Sequence, residues 1–140
     1  MRIYLDASVL VPLFILDALN DRAETLLLRA GAVIVVVSDF AAAEFASALA
    51  RRVRMGELAT EEARTAFTNM DAWVARVAIR TDTRGADVAA AEGLLRRLDL
   101  PLRTPDALHI AIARRVDGSL ATFDLKMAGA AQSLGLLLAQ

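Results

Sequence analysis

Five short β-rich runs, Arg2 to Leu5, Ala32 to Val37, Val74 to Ile79, Leu120 to Thr122 and Leu136 to Ala139, are each separated from the next by helix-patterned sequence. That alternation predicts a parallel α/β sheet. Helix boundaries are marked in the same stretches. Asp21 with Glu24 has the spacing of a capping box, Ser38 and Thr60 are good N-cap residues, and Thr104-Pro105 sets a cap before a first-turn proline. Gly31, Gly56 and Gly118 are placed to end helices. A long helix from Asp39 to Met55, closing on Arg51, Arg52 and Arg54, and a second from Glu61 to Trp73 form a helical hairpin inserted between two strands. With 140 residues, no repeat and no low-complexity linker, the chain reads as one domain over residues 1–140.

The sequence contains no cysteine, so disulfides, thiolate metal sites and a cysteine nucleophile are excluded, and the expected setting is a reducing cytoplasm. Its chemistry rests on oxygen and nitrogen. The opening Met1-Arg2-Ile3-Tyr4-Leu5-Asp6 lacks the pattern of a signal peptide. The longest apolar run, Ala7 to Leu16, is bounded by Asp6 and Asp17 and broken by Pro12, well short of the ~20 residues that span a bilayer. At 56% hydrophobic residues the chain carries more apolar surface than a small domain readily buries, which predicts a partner surface unless alanine enrichment accounts for it. A net charge of −1 supplies no argument for nucleic acid.

Four acids stand out. Asp6 ends the first strand at the carboxyl edge, where open α/β sheets bind ligands, although an N-cap role is equally open to it. Glu44 is the one charge in Phe40 to Ala50, a helix read as buried on most sides, where a carboxylate must be paired, protonated or bound to a cation. Asp106 lies in the first turn of the apolar helix Thr104 to Ala111, and Asp124 follows the strand Ser119 to Phe123 before another helix. Each also has a local reading, as dipole complement or cap. Asp6, Asp106 and Asp124 each sit where a strand ends or a helix begins, and Glu44 lies over a turn inside its helix, an arrangement from which all four are expected to converge on one edge. Crowded carboxylates repel unless a cation balances them, and an oxygen-only set selects magnesium or manganese, leaving room for a phosphate and an attacking water. His109, one turn after Asp106, is expected to be a hydrogen-bonded core residue, and Asp87 a solvated residue opening a helix to Leu98.

Tyr-Leu-Asp-Ala-Ser at Asp6, Ser-Asp-Phe-Ala-Ala-Ala-Glu-Phe at Glu44, Pro-Asp-Ala-Leu-His-Ile-Ala at Asp106 and Ala-Thr-Phe-Asp at Asp124 together resemble the PIN-domain family, and most closely the VapC-like toxin ribonucleases of toxin-antitoxin pairs. The resemblance spans essentially the whole chain. It implies a three-layer α/β/α fold, with a central parallel sheet of four to five strands and the inserted hairpin. It further implies a Mg2+- or Mn2+-dependent endoribonuclease with Asp6, Glu44, Asp106 and Asp124 as catalytic and metal-holding acids, flanked by the hydroxyls of Ser8 and Thr122. RNA, commonly structured transfer or ribosomal RNA, is the implied substrate, with a small cognate antitoxin and a homodimer as assemblies. In-line hydrolysis would leave 5′-phosphate and 3′-hydroxyl ends. The alternatives are a stand-alone nuclease, a non-catalytic PIN-like binding partner, and an aspartate phosphotransfer domain. The last is poorly matched, because Ser8 stands where a dehalogenase-type site needs a second acid.

Overall fold

The fold is described for residues 1–140 in a computed structural model. The elements follow in chain order: β1 (Arg2–Leu5), α1 (Ala7–Phe14), α2 (Asn20–Ala30), β2 (Ile34–Ser38), α3 (Asp39–Arg54), α4 (Thr60–Val77), β3 (Ala78–Thr81), α5 (Gly85–Arg96), α6 (Thr104–Arg115), β4 (Ser119–Ala121) and α7 (Leu125–Ser133). The four strands are all parallel, in the order β3-β2-β1-β4. β1 pairs Tyr4 with Val36 on one side and with Leu120 on the other. β1, β2 and β4 are therefore aligned so that their carboxyl ends reach the same edge.

Successive residues of a strand point to opposite faces, and this divides the core in two. Ile3, Leu5, Val35 and Val37 pack with α1 to α4, around Phe45, Leu49, Met70 and Val74. Tyr4, Val36 and Leu120 pack with α5 to α7, around Ile110, Ile112, Leu94 and Met127. The sheet between these helical layers gives the three-layer α/β/α arrangement. The hairpin α3–α4 does lie between β2 and β3. No helix is long and apolar enough to cross a membrane.

Several local expectations need correction. Val74 to Val77 belong to α4, because Ala63, Ala66, Met70 and Val74 continue one buried helical stripe, and extension begins only at Ala78. Leu136 to Ala139 make a single bridge, Leu120 to Leu138, rather than a strand. Asp21 caps nothing: α2 starts one residue earlier, and Asn20 instead ties it to α1 by accepting from Asp17 N and donating to the carbonyls of Pro12 and Ile15. Thr60 and Thr104 are the first helical residues of α4 and α6, one position inside their caps. Ser38 does cap α3, accepting from Ala41 N at 3.0 Å. Gly31 and Gly56 end their helices with φ of 66° and 72°, where a side chain would be strained. α6, in contrast, stops at Arg115, and Asp117, before Gly118, takes the left-handed conformation.

Candidate active site

Asp6 leaves β1 as the N-cap of α1, with its amide donating to Ala121 O across the sheet. Its side chain is almost wholly buried, with the residue 3% exposed. Oδ1 accepts the Ser8 hydroxyl at 2.6 Å and Val9 N–H at 3.2 Å, and Oδ2 accepts the Thr122 hydroxyl at 2.6 Å. Burial raises the Asp6 pKa above the ordinary carboxylate value. The bonds from Ser8 and Thr122, the nearby His109 and the Val9 amide oppose that rise without cancelling it. Neither arginine nor lysine forms an ion pair with this carboxylate. Ser8 and Thr122 also bind the chain beyond β4: Phe123 N donates to Ser8 Oγ at 2.8 Å and Asp124 N to Thr122 Oγ1 at 3.0 Å.

Asp124 caps α7, with Oδ1 accepting from Met127 N at 3.0 Å. Asp106, 8% exposed in the first turn of α6, accepts from Arg103 N at 2.9 Å through Oδ2. The local roles open to Asp6, Asp106 and Asp124 are thus all realised. They do not exhaust the side chains, since Asp106 and Asp124 each retain an oxygen without a hydrogen bond to protein. Both acids line one cleft of about 440 Å³, with Leu100, Arg103 and Lys126.

Glu44 reaches the region from α3. The helix is less buried than its composition suggests: Ala41, Ala42, Phe45 and Leu49 face the core, whereas Ala43, Ser47 and Ala50 meet solvent. The carboxylate, about one third exposed, is held by His109 Nε2. His109 is itself buried at 2% exposure, and its Nδ1 lies 2.7 Å from Tyr4 OH, which lies 2.7 Å from Ser38 Oγ.

In the neutral imidazole the bond directions are fixed by chemistry. An ionised carboxylate only accepts, so Nε2 carries the proton and Nδ1 accepts from Tyr4. Tyr4 then accepts from Ser38, whose oxygen accepts from Ala41 N–H. Burial drives the Tyr4 phenol well above its ordinary pKa, partly offset by Ser38, which keeps it a donor. His109 is therefore the hydrogen-bonded core residue expected, and it also grips a candidate acid. Tyr4 and this second use of Ser38 escaped sequence reasoning. The available signal was a tyrosine in a strand whose neighbours are aliphatic.

The arrangement has two openings. Glu44 lies on a cleft with Ala7, Ser8, Asp17 and Arg52, and Ser8 links that cleft to Asp6. Asp106 and Asp124 open on the other cleft, and Thr122 links Asp124 to Asp6. Asp6 lies between them as a buried hub. No three His, Asp or Glu side chains close around one point as a preformed metal cage.

Asp87 contradicts its expected solvation. It is 2% exposed, accepts from Arg84 N, and takes two bonds from the Arg115 guanidinium at 2.7 and 2.9 Å. Burial alone would raise its pKa, but Arg115 and the Arg84 amide outweigh that effect and hold it below the ordinary value. It is a structural ion pair fastening α5 to α6, remote in kind from the unpaired Asp6.

The family model for the PIN domain matches residues 3–132. Ribonuclease VapC46 of Mycobacterium tuberculosis is 35% identical over 137 residues, covering 96% of this chain and 93% of that protein. VapC20 of Mycobacterium tuberculosis, described as a toxin that cleaves the sarcin-ricin loop, superposes with a TM-score of 0.73 at 20% identity over 96% of each chain. VapBC2 of Rickettsia felis, bound to a promoter DNA fragment, gives 0.71 at 16% identity, over 99% of this chain and 97% of that one. FitAcB of Neisseria gonorrhoeae gives 0.69 at 17% identity, over 100% and 97%. At such identities the three structures share the fold.

Proposed function

The chain belongs to the PIN-domain family, and from that membership we propose that it is a divalent-metal-dependent endoribonuclease, a single PIN domain over residues 1–140, acting as the toxin of a toxin-antitoxin pair. The observation that carries the proposal is Asp6: a buried carboxylate without a cationic partner, linked through Ser8 to the cleft of Glu44 and through Thr122 to Asp124 in the cleft it shares with Asp106. Such a group is costly unless a cation arrives. Ribonuclease VapC46 and the toxin VapC20 place ribonuclease activity among proteins of this sequence or fold.

The donor set suits Mg2+ or Mn2+. Every candidate ligand is a hard oxygen, and magnesium takes few carboxylates directly while keeping several waters, which agrees with acids that do not form a closed cage. Asp6, Glu44, Asp106 and Asp124 are the residues that would hold the ion. When bound, it would supply charge neutralisation at the phosphate and a more acidic water.

The chain's own groups supply the rest. Ser8 and Thr122 fix both oxygens of Asp6, and His109 fixes one oxygen of Glu44. Arg103 and Lys126, lining the cleft of Asp106 and Asp124, attract the RNA backbone electrostatically. No side chain need act as a nucleophile: water attack at phosphorus that expels the 3′-oxygen would leave 5′-phosphate and 3′-hydroxyl ends.

The partner surface rests on exposed leucines, notably Leu16 at 96% and Leu28 at 81%, and on an apolar cleft of about 340 Å³ formed by Leu13, Phe14, Leu27, Leu28 and Trp73. These suit a small antitoxin and a second copy of the chain. α1 contributes less than its sequence suggests, since Val9, Leu10, Val11 and Ile15 are buried. The cysteine-free chain suits a cytoplasmic setting.

The deciding assay incubates the purified chain with total RNA and Mg2+ or Mn2+. Cleavage that stops in EDTA and is absent in Asp6→Asn supports the proposal. Equal cleavage in excess EDTA would refute metal dependence.

A further inference from the structure

Between α2 and α7, beside β4 and the Leu138 to Gln140 segment that bridges to it, lies a cavity of about 540 Å³ that none of the four acids lines. Its wall on α2 carries Arg22, Thr25 and Arg29, and its floor includes Leu120, Thr122 and Phe123. The cavity carries no Asp or Glu side chain, in a protein with 17 acidic against 16 basic residues, although Gln140, the last residue of the chain, with its terminal carboxylate, is part of its lining. The other main clefts each contain at least one Asp or Glu. Neither Arg22 nor Arg29 is engaged in an ion pair, and seven residues apart on one helix they share a face. The Arg22 guanidinium lies 4.7 Å from the centre of the Phe123 ring.

This cavity is joined to the acid site through shared residues. Thr122 lines it while its hydroxyl donates to Asp6 Oδ2. The Phe123 ring lies beneath Arg22 while its amide donates to Ser8. Leu125, which directly follows Asp124, is 80% exposed on its rim. The hollow beside Asp6 and Asp124 thus holds two guanidinium groups outside any ion pair, the part of Phe123 that Arg22 and the core leave open, and an apolar floor.

We propose that the α2–α7 cavity is a subsite for a nucleotide flanking the scissile phosphate. Arg22, lying over the Phe123 ring, and Arg29 take the backbone phosphates, while the part of Phe123 left open to the cavity meets the base. Charge supports this occupant, because phosphates need cations and the acid site itself offers few. Aromatic and arginine groups are also the usual surfaces for single-stranded bases. The subsite rests on the endoribonuclease proposal and deepens it.

The test uses random-sequence 20-nucleotide RNA containing 4-thiouridine, photo-crosslinked to the full chain in Ca2+ and mapped by peptide mass spectrometry. Crosslinks are expected at Phe123 or its cavity neighbours. Arg22→Gln/Arg29→Gln should lose them, weaken RNA binding at least fivefold, and lower the slope of log affinity against log salt by about 1.4, or about 0.7 for each lost phosphate contact. Arg22→Lys/Arg29→Lys should retain most of that slope, and thermal melts should match the unsubstituted chain. Asp6→Asn, which removes cleavage, should keep the crosslink. Crosslinks elsewhere with an unchanged salt slope overturn the subsite but leave the ribonuclease proposal standing. An unsubstituted chain that neither crosslinks to RNA nor cleaves it in Mg2+ or Mn2+ overturns both.

Discussion

Replacing each of two buried carboxylates by its amide should give stability changes of opposite sign. Asp6 and Asp87 are 3% and 2% exposed, and each accepts hydrogen bonds at the start of a helix. Asp87 has Arg115, whereas Asp6 has only neutral donors. For Asp6, burial holds the folded pKa above the unfolded one, and each unit of that rise costs about 1.4 kcal/mol in the ionised form at neutral pH. Asn is as good an N-cap as Asp, and its amide can donate to Thr122 Oγ1, so little is lost. In EDTA, Asp6→Asn is expected to stabilise the fold, through relief of the desolvated charge. Asp87→Asn breaks a two-bond ion pair and leaves Arg115 partly buried. Breaking a buried pair costs about 3–5 kcal/mol, and a cost of about 2–4 kcal/mol is expected here because Arg115 keeps 21% of its side chain in water. Thermal melts in EDTA at pH 7 separate these signs, since 1 kcal/mol corresponds to about 2–6 °C for a domain near this size. If Asp6→Asn melts several degrees below the unsubstituted protein, Asp6 is a structural cap and its assignment to a cation site fails.

The same pair predicts a pH profile. The gain from Asp6→Asn in EDTA should vanish in acid, where Asp6 is protonated in both states, and grow as pH rises through its raised folded pKa; a pH-independent gain would exclude relief of ionisation. The Asp87 contribution, with its folded pKa depressed, should be present above pH 3.8 and fade as pH falls through the folded value, which a comparison of Asp87→Asn with the parent measures. His109→Ala should lower kcat and destabilise by about 2–4 kcal/mol, as it takes away one of the two partners of Tyr4 OH, leaving Ser38, and opens a cavity. His109→Gln, which can still donate to Glu44, should retain most activity in the same RNA assay. Light scattering should find a homodimer that also binds the product of a neighbouring short reading frame; a monomer without that affinity would favour a stand-alone nuclease.

The candidate acids were legible because strand ends and helix starts are written locally. Asp6, Asp106 and Asp124 each declare their place within a few residues of sequence. The contacts that give them character are not local. Thr122 reaches Asp6 across 116 positions and His109 reaches Glu44 across 65. Asp87 looked solvated because Gly-Ala-Asp-Val is an ordinary helix start, and nothing near it reveals that Arg115 lies on the adjoining helix. The β3 boundary was misread for a related reason: Val74-Ala75-Arg76-Val77 has the composition of a strand, but the spacing back to Met70 and Ala66 carries it on as helix. Legibility failed where pairing, rather than pattern, decided the outcome.

The position of β4 beside β1 has a consequence for synthesis. The first strand to leave the ribosome waits for the last: until Ser119 to Ala121 pair with Ile3 to Leu5, one side of β1 stays open. Asp6 Oδ2 likewise lacks its hydroxyl until Thr122 appears, and Asp124 follows two residues later. A translation product interrupted between Glu44 and Ser119 carries Asp6 and Glu44 without the strand that completes the surroundings of Asp6. For an enzyme proposed to attack the cell's own RNA, a copy that stops before Thr122 and Asp124 lacks two groups of the proposed site.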